Sequence, residues 1–268
     1  MSERSAGDWR GVQLGSKTVG YDERDAILYA LAVGAQATEL ELVFEERLRV
    51  LPTFALTLAQ WAPDALGARG GFDTQTAVHG AQELRVHKVL PRHGELTMTA
   101  AVTEVWDKGA AAVFDIRVDS EYFAATWSIF APGSGGFVGE RGPAKPASPE
   151  GEPSRTDTVV TFPTQAALYR LLGDRHHIHI DPEAAARIGA PRPIMHGLCT
   201  MAAAALQLAR NAGAHPAELS QLTGRFAAPV FPGDALELRS WSGRDGTGFE
   251  VHGADGAAAI SGGRATFH

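Results

Sequence analysis

The stretch Tyr169-Arg-Leu-Leu-Gly-Asp-Arg-His-His-Ile-His-Ile-Asp-Pro182, with Pro193-Ile-Met-His-Gly-Leu-Cys-Thr200 after it, concentrates titratable residues in a chain otherwise rich in alanine and glycine. Asp174, His176, His177, His179 and Asp181 fall within eight positions, and His196-Gly197 follows shortly after. General acid/base chemistry needs groups of this kind held close together. Tyr169 to Leu172 closes an apolar run, with Gly173 as its terminator. Asp181-Pro182-Glu183 reads as a helix start, with Asp181 as N-cap and Pro182 at the first helical position. That helix runs to Ile188 and stops at Gly189. Asp174 and His179 therefore lie on the loop between two helical pieces. Their spacing of five is not a one-face helical spacing, so a bent loop must bring them together.

A further helix is expected from Gly197 through Met201-Ala-Ala-Ala-Ala-Leu206 to about Asn211. Its small residues let a sheet pack closely around it. Its N-terminus presents unpaired backbone N–H groups, at the positive end of the helix dipole, to developing negative charge. A carboxylate, an imidazole and a helix N-terminus are the parts needed to add or remove water next to a thioester carbonyl. The Gly197 N–H would hold the enolate-like oxygen, an effect worth on the order of a hundredfold or more in rate.

These residues resemble the signature of the MaoC-like (R)-specific enoyl-CoA hydratases, or hydratase 2, which have a double hot dog fold. The family pattern runs Tyr-Arg-Leu-Ser-Gly-Asp-x-Asn-Pro-Leu-His-x-Asp-Pro, then Pro-Ile-Leu-His-Gly-Leu-Cys-Thr. The resemblance implies that Asp174 and His179 are the catalytic pair and that Gly197 supplies the oxyanion N–H. It implies substrate contacts at His79, Gly80, Lys108, Arg175, His176 and Phe226. The family's Asn-Pro is His176-His177 here, so either His176 takes over the asparagine's hydrogen bonding or the site is retuned. The implied reaction is reversible hydration of a trans-2-enoyl-CoA to the (R)-3-hydroxyacyl-CoA. It uses no metal and no cofactor beyond the CoA of the substrate, and acyl carrier protein is an alternative carrier.

Length and composition are compatible with this reading. A chain of 268 residues with 44% apolar residues can bury the cores of two modest domains. The net charge of −7 and the lack of any Lys/Arg block argue against nucleic acid as the main partner. The single cysteine, Cys199, excludes an intrachain disulfide and fits a reducing cytoplasm. On the alanine-rich helix it reads as a small buried hydrophobe. No stretch reaches the ~18 apolar residues of a membrane span, and the first residues lack a signal-peptide core.

Helix followed by antiparallel strands is expected twice, which is the α+β layout of two hot dog repeats. In the first repeat (residues 1–135), a polar lead-in precedes helices at Glu23–Val33 and Val50–Trp61. Strands follow at Glu83–Leu90, Leu96–Trp106, Ala111–Val118 and Tyr122–Phe130. The less regular central helix would leave room there for the acyl chain. Residues 136–157, dense in Gly, Pro and Ser, read as a linker. The second repeat (158–268) opens with a strand at Thr158–Phe162 and closes with strands at Gln221–Val230, Ala235–Trp241, Gly248–His252 and Ala257–Phe267. Two repeats could pair edge to edge within the chain, and the chain could then form a homodimer.

Several residues admit a second reading. Lys108 in a hairpin turn could meet a phosphate as a point charge or be a solvated turn lysine. Phe226 could be a substrate contact or a core aromatic. His177, His179 and Asp181 would form a metal site if the segment were a strand, but Asp181-Pro182 is better explained as a helix start. A hot dog thioesterase and a non-catalytic acyl-CoA-binding protein are the rival functions.

Overall fold

Ten strands form one sheet in the computed structural model, which describes residues 4–145, 149 and 151–268. The first five are β1 (Gln13–Tyr21), β2 (Val78–Val86), β3 (Gly94–Asp107), β4 (Ala111–Ser120) and β5 (Phe123–Pro132). The last five are β6 (Arg155–Val160), β7 (Leu219–Phe226), β8 (Ala235–Gly243), β9 (Gly246–His252) and β10 (Ala258–Phe267). All pairings are antiparallel, and the order across the sheet is β1-β3-β4-β5-β2-β7-β10-β9-β8-β6. Counted inward from either edge, each half places its strands in the order first, third, fourth, fifth, second. A duplicated five-stranded unit produces this order. The copies meet at β2 and β7, where Ala81 faces Arg225 and Arg85 faces Gln221. The architecture is the α+β double hot dog.

The helices are α1 (Glu23–Ala32), α2 (Leu40–Val43), α3 (Phe54–Leu58), α4 (Trp61–Ala68), α5 (Gln165–Tyr169), α6 (Pro182–Arg187) and α7 (Gly197–Ala212). Helix α7 is the central helix of the second repeat, and Leu198 to Leu206 are all buried. Its run of alanines lets the sheet close around it on most sides, and its polar residues Gln207, Arg210 and Asn211 share one face of the last turns. The first repeat carries α3 and α4 in the equivalent place. The single helix expected over residues 50–61 is instead two short ones. Pro63 has no N–H to donate to the Ala59 carbonyl and its ring crowds that group, so the helix breaks near Gln60.

Strand β1 corrects the expected polar lead-in. Only Leu14 and Tyr21 of its nine residues are buried, so it lacks the alternation that announces a half-buried strand. Pairing with β3 holds it in place, from Gln13 opposite Ala101 to Tyr21 opposite Gly94. Strand β2 begins five residues before the expected Glu83, which puts His79 and Gly80 on the sheet itself. Gly80 sits at the register shift between His79 and Ala81. A Cβ there would stand 3.3 Å from the Ser128 carbonyl oxygen.

The repeats are tied together by buried polar contacts. The Gln165 side chain, 1% exposed, donates to the Ala32 carbonyl at 2.9 Å and accepts from the Phe162 amide at 3.2 Å. At the surface Arg210 pairs with Glu39 at 2.6 Å and Arg49 with Glu218 at 3.0 Å. Within the stretch read as linker, the Gly136 and Gly139 amides donate to Asp107, while residues 146–148 and 150 lie outside the described residues. Among the described residues, no helix is long and apolar enough to cross a membrane.

Candidate active site

The loop after Leu172 bends sharply at Gly173 and lies against the first repeat. A Cβ at Gly173 would stand 3.0 Å from the Thr57 carbonyl oxygen of α3, so only glycine allows this approach. Beyond it, His177–His179 form one turn of 3₁₀ helix. The His176 amide donates to Asp174 Oδ1 at 3.0 Å, and His176 Nδ1 accepts from the Ile178 amide at 3.4 Å. His176 thus acts as the cap of this turn, a role an asparagine side chain performs well. Replacing His176 with Asn is therefore expected to keep at least about a tenth of wild-type turnover. Steady-state kinetics would check this, and complete inactivation would assign the imidazole a role of its own.

His179 is 7% exposed. Its Nδ1 lies 2.9 Å from the Ile194 carbonyl, which only accepts, so Nδ1 carries the hydrogen. Nε2 is left with its lone pair 3.9 Å from Asp174 Oδ2. A water about 2.8 Å from both atoms would fit with an angle near 90° between its two contacts. The Asp174 side chain keeps 26% of its surface exposed against 8% for His179, so the carboxylate faces the opening and the imidazole the interior.

His196 caps α7 and adds a third group. Its ring stacks on His179 at 3.6 Å and 25°, and its Nε2 donates to the Asp174 carbonyl at 3.1 Å. With no side-chain cap on α7, its first amides remain open to a ligand. A Cβ at Gly197 would stand 2.8 Å from the Phe226 ring. The Phe226 ring in turn meets His79 edge-on at 4.8 Å. Carboxylate, imidazoles, helix N-terminus and aromatic wall therefore converge on one place.

Burial opposes charge on Asp174, but His196, His179 and the His176 amide outweigh it and hold the carboxyl below its ordinary range. Burial also keeps His196 neutral, down to about 3, so the amide bond is the part of this effect that persists at neutral pH. Burial chiefly lowers His179 as well, and it lowers His79 to about 4. A histidine depressed in the folded state contributes stability that is complete above its unfolded value near 6.5 and is lost as pH falls below it. The unfolded chain then binds protons that the folded chain refuses. The melting temperature is expected to hold above about pH 7 and to fall progressively from about pH 6.5 toward pH 4. Calorimetry across that range checks this, and a flat response would contradict the buried neutral imidazoles.

Asp174, His179 and His196 each offer a ligand atom, all within 4.8 Å of one another. Stacked imidazoles place their in-plane lone pairs side by side, however, and a metal ion needs them to converge. The strand needed for a His177–His179–Asp181 metal set is absent, because those histidines lie in a 3₁₀ turn. Asp181 Oδ1 instead accepts from the Glu183 amide at 2.9 Å, as the N-cap of α6.

Residues 20–137 match the MFE-2 hydratase 2 N-terminal domain, and residues 145–261 match the MaoC like domain. The 3-hydroxyacyl-thioester dehydratase Y of Mycobacterium tuberculosis is 36% identical over 260 residues, covering 89% of each chain. The chain belongs to the MaoC-like hydratase 2 family. The mouse peroxisomal multifunctional enzyme type 2 is also 36% identical, over 86% of this chain, and this chain spans 34% of its length. A MaoC-like dehydratase from Phytophthora capsici superposes with a TM-score of 0.88 at 27% identity, covering 99% of this chain and 98% of that one.

In this hydratase 2 chain Asp174, His179, His176, Gly197, Phe226 and His79 come together, with Gly80 next to His79. Arg175 is exposed on the same loop, and its carbonyl accepts from Arg170 at 3.2 Å. Lys108 stands apart. It lies in the β3–β4 turn, between two and three strands from β2, or roughly 12 Å at ~4.8 Å per strand. Its ammonium donates to the Arg141 carbonyl. Beside it the Gly136 and Gly109 amides hold the Asp107 carboxyl down to about 2. Sequence reasoning did not assign a role to His196 or Tyr169, although both stand in the quoted motif. It also passed over Asp64 of α4, whose carboxyl is raised by burial and by the nearby Asp174 charge.

Proposed function

We propose that this chain catalyses reversible hydration of a trans-2-enoyl-CoA to the (R)-3-hydroxyacyl-CoA, with Asp174 and His179 sharing one water. The single observation that carries this reading is His179 Nε2, its lone pair free, facing Asp174 Oδ2 across 3.9 Å beside the start of α7. In the hydration direction the water oxygen bonds to C3 of the enoyl group and one O–H bond breaks. A proton reaches C2 from the same face, while the thioester oxygen rests on the Gly197 amide. A syn addition through one water lets a single compact site deliver both hydroxyl and proton. The open amides of α7 stabilise the enolate-like oxygen as its charge develops, where they contribute most.

Phe226 and His79 form the wall against the acyl group near C3, and Arg175 and His176 border the opening. Lys108 would meet the distal phosphates of CoA, exchanging the Arg141 carbonyl for them. The protein is further proposed to act in the cytoplasm as a homodimer, which light scattering would check. Thioesterase chemistry is the less favoured reading, because the relatives similar over most of this chain include a 3-hydroxyacyl-thioester dehydratase and an enoyl-CoA hydratase 2. An absorbance assay of enoyl-thioester loss, across chain lengths and both carriers with chiral product analysis, tests the proposal. Release of free thiol without a 3-hydroxyacyl product would overturn it.

A further inference from the structure

Three buried polar atoms beside the catalytic loop, the Tyr29 hydroxyl, the Tyr169 hydroxyl and Nδ1 of His196, make no hydrogen bond among the described residues, with the Thr53 side chain a polar neighbour of the Tyr29 hydroxyl. The residues are 1%, 1% and 2% exposed. Their rings form a continuous line, with centroids 6.0 Å apart from Tyr29 to Tyr169 and 4.8 Å apart from Tyr169 to His196. Buried polar atoms are seldom left unpaired, and a trapped water typically makes about three hydrogen bonds to such groups. The chemistry of the three atoms is complementary. Because His196 Nε2 donates to the Asp174 carbonyl, Nδ1 must be an acceptor, while both phenols can donate.

We propose that one buried water joins the Tyr29 and Tyr169 hydroxyls to Nδ1 of His196, and that Tyr169 and His196 are positioning residues which hold Asp174 in register. This rests on the hydratase reading above. A donor at Nδ1 selects the tautomer that carries its hydrogen on Nε2. Without that donor, the other tautomer would turn a lone pair toward the Asp174 carbonyl and push the loop away. Tyr29 lies on α1, Tyr169 ends α5 and His196 caps α7, so the network joins both repeats to the catalytic loop.

The test is Tyr169→Phe, which removes the hydroxyl and keeps the ring. It is expected to lower kcat for enoyl-thioester hydration about tenfold while KM stays within about twofold, because displacement of Asp174 by a fraction of an ångström is felt in the chemical step. In a His196→Gln background the side-chain amide can still donate to the Asp174 carbonyl and has no tautomer to lose. There, Tyr169→Phe should change kcat by less than about twofold. Wild-type kcat in Tyr169→Phe, or the same drop in both backgrounds, overturns the inference. If His196→Gln fails to fold, ¹⁵N NMR of the histidines decides. The expected result is an Nε2–H tautomer at His196 in the wild type and a mixture in Tyr169→Phe, and an unchanged tautomer overturns the inference. If wild-type protein hydrates no enoyl thioester at all, the hydratase reading fails instead.

Discussion

Asp174→Asn is expected to lower kcat for hydration by about three orders of magnitude, with KM changed only a few-fold. The asparagine oxygen can still accept from the His176 amide, now 3.0 Å from Oδ1, so the loop keeps its bend and the melting temperature should move by no more than a few degrees. What is lost is a group able to take and return a proton at the water's position. Kinetics with a medium-chain enoyl thioester, alongside a melting curve, separate these effects. Turnover above about a tenth of wild type in a folded Asp174→Asn protein would remove the carboxylate from the reaction.

His179→Ala is expected to cost between a hundredfold and ten-thousandfold in kcat, the range typical of a positioned general acid or base. This variant also leaves a cavity, because the imidazole is buried and stacks on His196 at 3.6 Å. It deprives the Ile194 carbonyl of its donor as well. Some loss of stability is thus expected with the loss of rate, and the two are distinguished by measuring turnover well below the variant's own melting temperature. Turnover like wild type under those conditions would leave His179 a structural role only.

The site was legible in sequence wherever chemistry and local grammar pointed the same way. Asp181-Pro182 announced the start of α6, and Gly197 with its alanines announced α7. The spacing between Asp174 and His179 demanded a bend. His196 stands in the motif without an assigned role because a histidine before a glycine carries no local sign of stacking on another ring seventeen residues earlier. Only the fold brings those rings together. Asp64 escaped for the same reason, since it comes from the other repeat, on a short helix that follows the break near Gln60. Strand β1 was hidden because its support is cross-strand pairing with β3 rather than an apolar face of its own. The order of strands across the sheet cannot be read from periodicity, because each meander pairs locally while β2 and β7 meet across more than a hundred residues.

The seam between β2 and β7 has a consequence for any attempt to divide the molecule. A polypeptide holding only the second half would keep the whole Asp174–His179 loop but expose the edge of β7, a ready template for another chain. It would also remove the Thr57 backbone on which Gly173 rests. Such a fragment would tend to associate with a copy of itself, restoring a ten-stranded sheet with two copies of the motif in place of one. In the intact chain the partner is built in, and the half without the motif still shapes the site, through the Thr57 carbonyl under Gly173, His79 against Phe226 and Asp64 near Asp174.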